Sequence, residues 1–383
     1  MMRNAGERRL QNFIKIFCAL SFAIFSYTFV AIYKSPLIEM VYDGVATGRL
    51  QYNGYLLSGV VTTVLVVLAL WLNRFAKYQR EWTAMAFLPS ALILAFVTDI
   101  ERTVFCGGGS FMSWIWVFAV GIFVYMFLSF LFGRMLFEKI KNPNMVANRI
   151  VWRNLVLLTL IFMLVGCLSG GDKSFMREAV QYKHYRNGDM DAALAVAAHS
   201  PLASKELTAQ RAFLLSLKDE LGERLFEFPQ YYGVDGLLPS VERTTPIEPQ
   251  IIYSQIGAQR APGESAADYL NRVLAGDSVP RAAQEYYLCS LLLERRIVDF
   301  ADKVYEFYNV GDSDSLPRHY KEALVMYAHI VPEYHLGFDA GSMRDSLEKM
   351  VADATDKGDA FMYSARSQAE YGGSYWWYFL YGE

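Results

Sequence analysis

The sequence predicts an all-α protein: an N-terminal bundle of five transmembrane helices followed by a tetratricopeptide-like α-solenoid domain. Three observations predict it. Five apolar windows free of charge lie within the first 171 residues. The charge balance changes sign along the chain, from +8 over 1–168 (15 Lys/Arg, 7 Asp/Glu) to −11 over 169–383 (21 Lys/Arg, 32 Asp/Glu), which together give the net −3. Beyond Asp172 apolar residues recur at helical spacing, and nowhere does a sustained period-2 alternation signal a strand. Apolar residues make up 54% of the 383 and charged residues 20%, which excludes a disordered chain. Four Cys are too few for a disulfide scaffold. The domains expected are 1–168 in the membrane and 169–383 outside it.

The spans follow from length. About 20 mostly apolar residues cross a bilayer core as a helix, the element that satisfies its own backbone hydrogen bonds. The windows are Ile16–Tyr33, Leu50–Asn73, Trp82–Thr98, Thr103–Gly133 and Asn154–Gly171. Trp82–Thr98 is the weakest, with 17 residues and Pro89 inside it. The positive-inside rule argues that it spans. With five spans and a cytoplasmic N-terminus, segments 1–15, 73–83 and 134–153 lie inside and hold 12 Lys/Arg; the outer loops hold only Lys34, Arg49 and Arg102. The first span lacks a small-x-small cleavage site, so it reads as an anchor.

The outer part begins with Phe175, Ala179, Tyr182 and Tyr185 on one helical face. Asn187-Gly188-Asp189 makes a turn with a capping Asp, and Ala192, Ala193, Val196 and Ala197 follow on a second helix. Helix, Gly-Asp turn and small-residue helix is the pattern of a tetratricopeptide unit. A second pair is expected at 282–308, with Ala301 at the small position, and a third from Leu316 to Ala354. There Pro317 suits a first turn and Ser342 a cap. Residues 219–280 include Pro229, Pro239, Pro246, Pro249 and Pro262 and show no fixed period. They read as irregular helices and loops whose apolar residues, Phe226 and Ile252 among them, fold against a core.

Four stretches carry a family resemblance: QYYGVDG at 230–236, IIYSQIG at 251–257, LPRHYKEAL at 316–324 and YGGSYWWY at 371–378. They resemble a domain-of-unknown-function family of multi-spanning membrane proteins of Bacteroidota, with a membrane bundle followed by a tetratricopeptide-like region. The resemblance covers roughly 170–383. It implies that architecture and a bacterial inner membrane facing a periplasm, with no activity and no functional residues.

Candidate sites are few. No nucleophile elbow, Walker loop or dinucleotide fingerprint occurs, and no pattern calls for a catalytic residue, a cofactor or a metal. His329 and His335 flank Glu333 at a spacing that matches no metal motif. Asp99, Glu101 and Arg102 form a polar cluster at the outer end of the third span, either a site or an interfacial salt bridge. Leu164-Val165-Gly166-Cys167 resembles a lipoprotein acylation box, which makes Cys167 a candidate for lipidation, although such short matches arise by chance in apolar helices. Cys106 and Cys167 both fall on the outer side, as a disulfide or as free thiols. Tyr375, Trp376, Trp377 and Tyr378 form an aromatic ending with three readings: a stacking platform, an interfacial anchor, or a last helix closing the domain.

The expectation is a non-enzymatic scaffold: the bilayer holds the first part, and the helical domain docks a protein or peptide partner in the periplasm or membrane. The acidic outer part argues against nucleic acid. The rival is an envelope transporter or enzyme acting on a lipid-linked or glycan substrate, with Asp99, Glu101, Arg102, Arg49 and the aromatic tail as its site.

Overall fold

The computed structural model describes residues 2–46, 52–76, 80–105, 112–135, 143–201, 203–242, 245–276, 278–311, 315–355 and 367–382. Within them every regular element is helical and no strand occurs. The chain divides into two compact units, Met1–Met176 and Arg177–Glu383.

In the first unit α1 (Met2–Thr28) runs on into a π-helical turn, Phe29–Tyr33, followed by α2 (Ser35–Ala46) and α3 (Gly54–Ala76). A 3-10 stretch, Arg80–Phe87, leads into α4 (Leu88–Thr98); then come α5 (Arg102–Phe105), α6 (Met112–Met135) and α7 (Pro143–Leu168). Among the described residues three helical stretches are long and apolar enough to cross a membrane: Arg9–Tyr33, Gly54–Arg74 and Asn148–Leu168. Trp82–Thr98 and Trp114–Phe127 are shorter apolar helical stretches. The difference at the third window has a physical cause. Its first half winds as a 3-10 turn, and Ala84, Met85, Ala86, Phe87, Ala91 and Leu94 are buried, so this element is core to the bundle. The side chain of Asn154 holds it in place: Oδ1 accepts the Ala84 amide at 2.8 Å, and Nδ2 donates to the Ile150 carbonyl. Ser90 donates to the Leu65 carbonyl at 2.9 Å.

The outer faces of this unit are apolar. On α1, Phe13, Ile16, Leu20 and Ile24 are exposed along one stripe; on α3, Leu56, Val60, Val64, Val67 and Trp71; on α7, Val156, Leu160 and Met163. Water would not tolerate stripes of that length, and lipid does. The unit is associated with a membrane.

The second unit continues α8 (Lys173–Arg186) into α9 (Met190–Ala195), α10 (Lys205–Leu217) and α11 (Leu221–Arg224). After two 3-10 turns come α12 (Pro249–Ile256), α13 (Ala266–Leu274), α14 (Arg281–Leu293), α15 (Ile297–Phe307), α16 (Arg318–Ile330), α17 (Gly341–Thr355) and α18 (Tyr375–Tyr381). Successive helices pack on one another through α13, α14, α15, α16 and α17, with α18 against α16.

The expected turn is present. Gly188 takes φ +77, and the Asp189 side chain accepts the Ala192 amide at 3.0 Å, a capping bond. The following helix is shorter than the sequence suggests. It stops at Ala195, and the Val196 and Ala197 carbonyls accept from Nη2 of Arg211 instead of continuing the helix. Ser342 lies inside the first turn of α17 and not at its cap, since Asp339 Oδ1 takes the Gly341 amide. The stretch 219–280 folds against the core through Phe226, Phe228, Leu237, Leu238, Ile252 and Tyr253, whereas Tyr231, Tyr232 and Ile251, which the sequence also offers to a core, are exposed.

Candidate functional site

The residues singled out in the first unit make the following contacts. Asp99, at the end of α4, accepts from the Trp114 indole at 2.8 Å. Glu101 is exposed and accepts from the Thr103 hydroxyl. Arg102 lies over the Phe175 ring at 5.1 Å. Arg49 and Cys106 fall outside the described residues. Cys167 is an exposed free thiol at the end of α7. An apolar gap of about 610 Å³ opens between α4, α6 and α7, lined by residues such as Leu92, Val120 and Leu164. Among the described residues its lining is almost wholly apolar, with little to orient a polar ligand.

One residue in this unit was not legible as special. Lys34 follows the π-helical turn and is buried, with Nζ donating to the Ser169 carbonyl just past the end of α7. A cation on the free carbonyls of a helix C-terminus is a favourable placement.

In the second unit the chemistry concentrates on α14, α16 and the aromatic ending. Tyr375, Trp376 and Tyr378 are buried and Trp377 half-buried. The Trp376 indole donates to the Glu322 carbonyl at 2.7 Å, and the Tyr378 hydroxyl to the Leu293 carbonyl at 2.8 Å. Phe226 packs edge-on to Tyr375. The ending is wedged between α14 and α16.

Two buried carboxylates organise this region. Glu322 accepts from three donors: Arg318 Nε at 2.9 Å, His319 Nδ1 at 2.9 Å and the Tyr375 amide at 2.7 Å. Burial alone would raise its carboxyl; the His319 hydrogen bond, the positive charge of Arg318 and the Tyr375 amide outweigh burial and hold it below the usual glutamate range. The other nitrogen of His319 accepts the Phe226 amide at 3.3 Å, which leaves Nδ1 as its donor to Glu322. An imidazole whose basic nitrogen is occupied by a backbone amide cannot serve as a general base. Glu285 accepts from the hydroxyls of Tyr308 and of Tyr320, the latter at 2.7 Å. Burial dominates there and raises its carboxyl despite both hydrogen bonds.

Other buried groups are not fully satisfied, among them both amide atoms of Gln210, the Tyr286 and Tyr375 hydroxyls and the Trp377 indole, and Arg211 is a charged case. It is fully buried, with Nη2 bonded to two carbonyls while Nε and Nη1 have no hydrogen-bond partner. Its guanidinium stacks on Phe228 at 4.6 Å, and burial lowers its pKa to about 10. Among the described residues no group of three or more His, Cys, Asp or Glu is placed to hold a metal ion. His329 and His335 are both exposed.

Residues 7–261 and 259–382 match the family described as Family of unknown function (DUF6057). The chain belongs to DUF6057. The match runs through both units, so the membrane-associated helices and the helical unit after them are parts of one DUF6057 architecture. Comparison with curated proteins and with solved structures gives no match.

Among the described residues of the second unit, two places combine apolar and polar surface in connected groups. One is a strip of exposed Val298, Tyr305 and Ile330 with Tyr327 and Tyr334 among them. The other is a polar recess of about 380 Å³ beside Arg318.

Proposed function

We propose that this DUF6057 protein is a non-enzymatic bacterial inner-membrane scaffold whose helical second unit docks a protein or peptide partner in the periplasm or membrane. In this reading the two shorter apolar stretches complete five spans, the N-terminus is cytoplasmic, and the second unit is periplasmic. The helix pairs α8/α9, α14/α15 and α16/α17 are its tetratricopeptide-like units.

The tyrosine strip carries the reading. Val298 and Tyr305 lie seven residues apart, on one face of α15. The Tyr305 hydroxyl meets the Tyr334 hydroxyl at 2.6 Å, and the Tyr334 ring stands edge-on to Tyr327 at 4.7 Å. Ile330 follows three residues on from Tyr327 along α16. Single exposed apolar residues need no explanation, but a connected group of this composition is what protein interfaces enrich. The charges beside it, Lys303 and Glu306, pair with each other at 2.8 Å. The acidic balance of the domain favours a basic or neutral partner.

Photo-crosslinking in intact cells tests this. A photoreactive residue at position 305 or 330 is expected to give a discrete heavier adduct, and one at exposed Glu348 none. Val298→Asp should abolish the adduct. Uncrosslinked chain at all three positions, or equal adducts at 348, would sink the proposal. An adduct of twice the chain mass would also overturn it, by assigning the strip to self-assembly.

A further inference from the structure

We infer that the recess beside Arg318 binds a neutral saccharide. The recess has a volume of about 380 Å³ and is bordered by α16, by the first turns of α17 and by the approach to α18. That volume lies near the lower end of the about 300–1,000 Å³ usual for ligand pockets.

Its walls are held before any ligand arrives. Glu322 takes Nε of Arg318, and the Arg318 amide donates to Glu223 at 2.6 Å. The Trp376 indole is fixed by its bond to the Glu322 carbonyl. Preorganised side chains of this kind lose little freedom on binding.

The remaining groups match the hydroxyls and the C–H face of a sugar ring. The terminal nitrogens of Arg318 have no partner in the described structure and stand as donors at the rim. Ser342 presents its hydroxyl from an exposed position on α17. Ser346 donates to the Ser342 carbonyl and keeps its oxygen as an acceptor. Glu370 contributes a carboxylate, 3.1 Å from Lys349. Met343 and the Trp376 ring supply apolar wall.

Both signs of charge are present, Arg318 with Glu322 and Glu370 with Lys349, so these four groups give the recess no net charge to favour an ion. A neutral molecule rich in hydroxyls uses the donors and acceptors together. The recess is separate from the tyrosine strip, and the inference does not depend on the docking reading.

The test uses the full chain in lipid nanodiscs, because maltoside detergents carry sugar headgroups. Glucose, galactose, mannose, N-acetylglucosamine and their disaccharides are titrated by saturation-transfer NMR and calorimetry, free and displayed on a lipid. At least one should bind saturably. Free sugar binding assigns a soluble saccharide; binding only on the lipid assigns a glycolipid head. Glu370→Gln should weaken binding about tenfold, the usual effect of losing a hydrogen bond to a charged group. Ser342→Trp, which fills the recess from the surface, should abolish it with the melting temperature unchanged. No saturable binding across both panels, or unaltered binding by Ser342→Trp, overturns the inference.

Discussion

The imidazole of His319 donates from Nδ1 to Glu322 Oε2 at 2.9 Å, one turn along α16 and inside the domain. The same carboxylate reaches the Tyr375 amide, 53 positions away in sequence, at 2.7 Å. This contact ties the aromatic ending to α16. Glu322→Ala would leave that amide and the imidazole buried without an acceptor. A loss of about 3 kcal/mol is expected, the scale for leaving buried donors without an acceptor. Glu322→Gln keeps one acceptor oxygen and should lose less. Denaturant unfolding followed by tryptophan fluorescence reads both. Equal stability of Glu322→Ala and the parent would refute the assignment.

The two buried glutamates give opposite pH signatures. Glu322 is held below its ordinary value, so its contribution is present above the unfolded glutamate pKa and lost as pH falls through the folded one. Glu285 is raised, so its contribution is present below the unfolded pKa and lost as pH rises through the folded one. Between about pH 2 and about pH 8, the stability of Glu322→Gln relative to the parent should therefore fall as pH rises and level off above about pH 4, whereas that of Glu285→Gln should rise above about pH 4. Unfolding curves across this range check both signs, and a shared sign contradicts the account.

Arg211 leads to a less intuitive expectation. Its buried charge has no acidic partner, and two of its nitrogens are unbonded. Replacing a buried ion with an apolar side chain of similar length is often neutral or stabilising. Losing its bonds to the Val196 and Ala197 carbonyls works against this, by about 1–3 kcal/mol. Arg211→Met should therefore come within about 1 kcal/mol of the parent or exceed it. A loss above about 3 kcal/mol would show that the capping bonds outweigh the cost of the buried charge.

How much of this was legible follows from distance along the chain. Asp189 and Gly188 were readable because a capping turn is complete within a few residues. The helix pairs were readable because period 3.6 is a local signal. The carboxylate sites were not, because Glu322 is defined by Phe226 and Tyr375 through His319, and Glu285 by Tyr308 and Tyr320 on later elements. A faint signal existed: Glu285 is the lone acid in the otherwise apolar run AAQEYYLCSLLL. The aromatic ending was ambiguous because Trp and Tyr suit a core, an interface and a bilayer surface alike. The third apolar window was ambiguous because composition does not distinguish a lipid-facing helix from one buried among others.

Lys34 supplies a test within the first unit. Its Nζ closes on the Ser169 carbonyl, linking the end of the first long helix to the end of α7. Lys34→Met keeps the stem and removes the donor, leaving that carbonyl unmet. The melting temperature of the purified protein in micelles should fall, by an amount set by a loss of about 1–3 kcal/mol. Lys34→Arg, which keeps a cation at the helix end, should recover part of it. An unchanged melting temperature in Lys34→Met would mean that the contact contributes nothing to the bundle.

The topology makes the last prediction. Five spans place the five positive charges of 134–153 on the cytoplasmic side, whereas four spans, with Trp82–Thr98 not crossing, would turn them outward. Burial of that segment among α1, α3 and α7 is compatible with crossing, because a span surrounded by other helices needs no lipid-facing stripe. Reporter fusions after residues 78 and 145 are expected to give a cytoplasmic signal, and those after 108 and 200 an external one. An external signal at 145 would remove the third span and bring the acidic helical unit to the cytoplasmic side. The crosslinking adduct at position 305 would then have to be sought among cytoplasmic proteins.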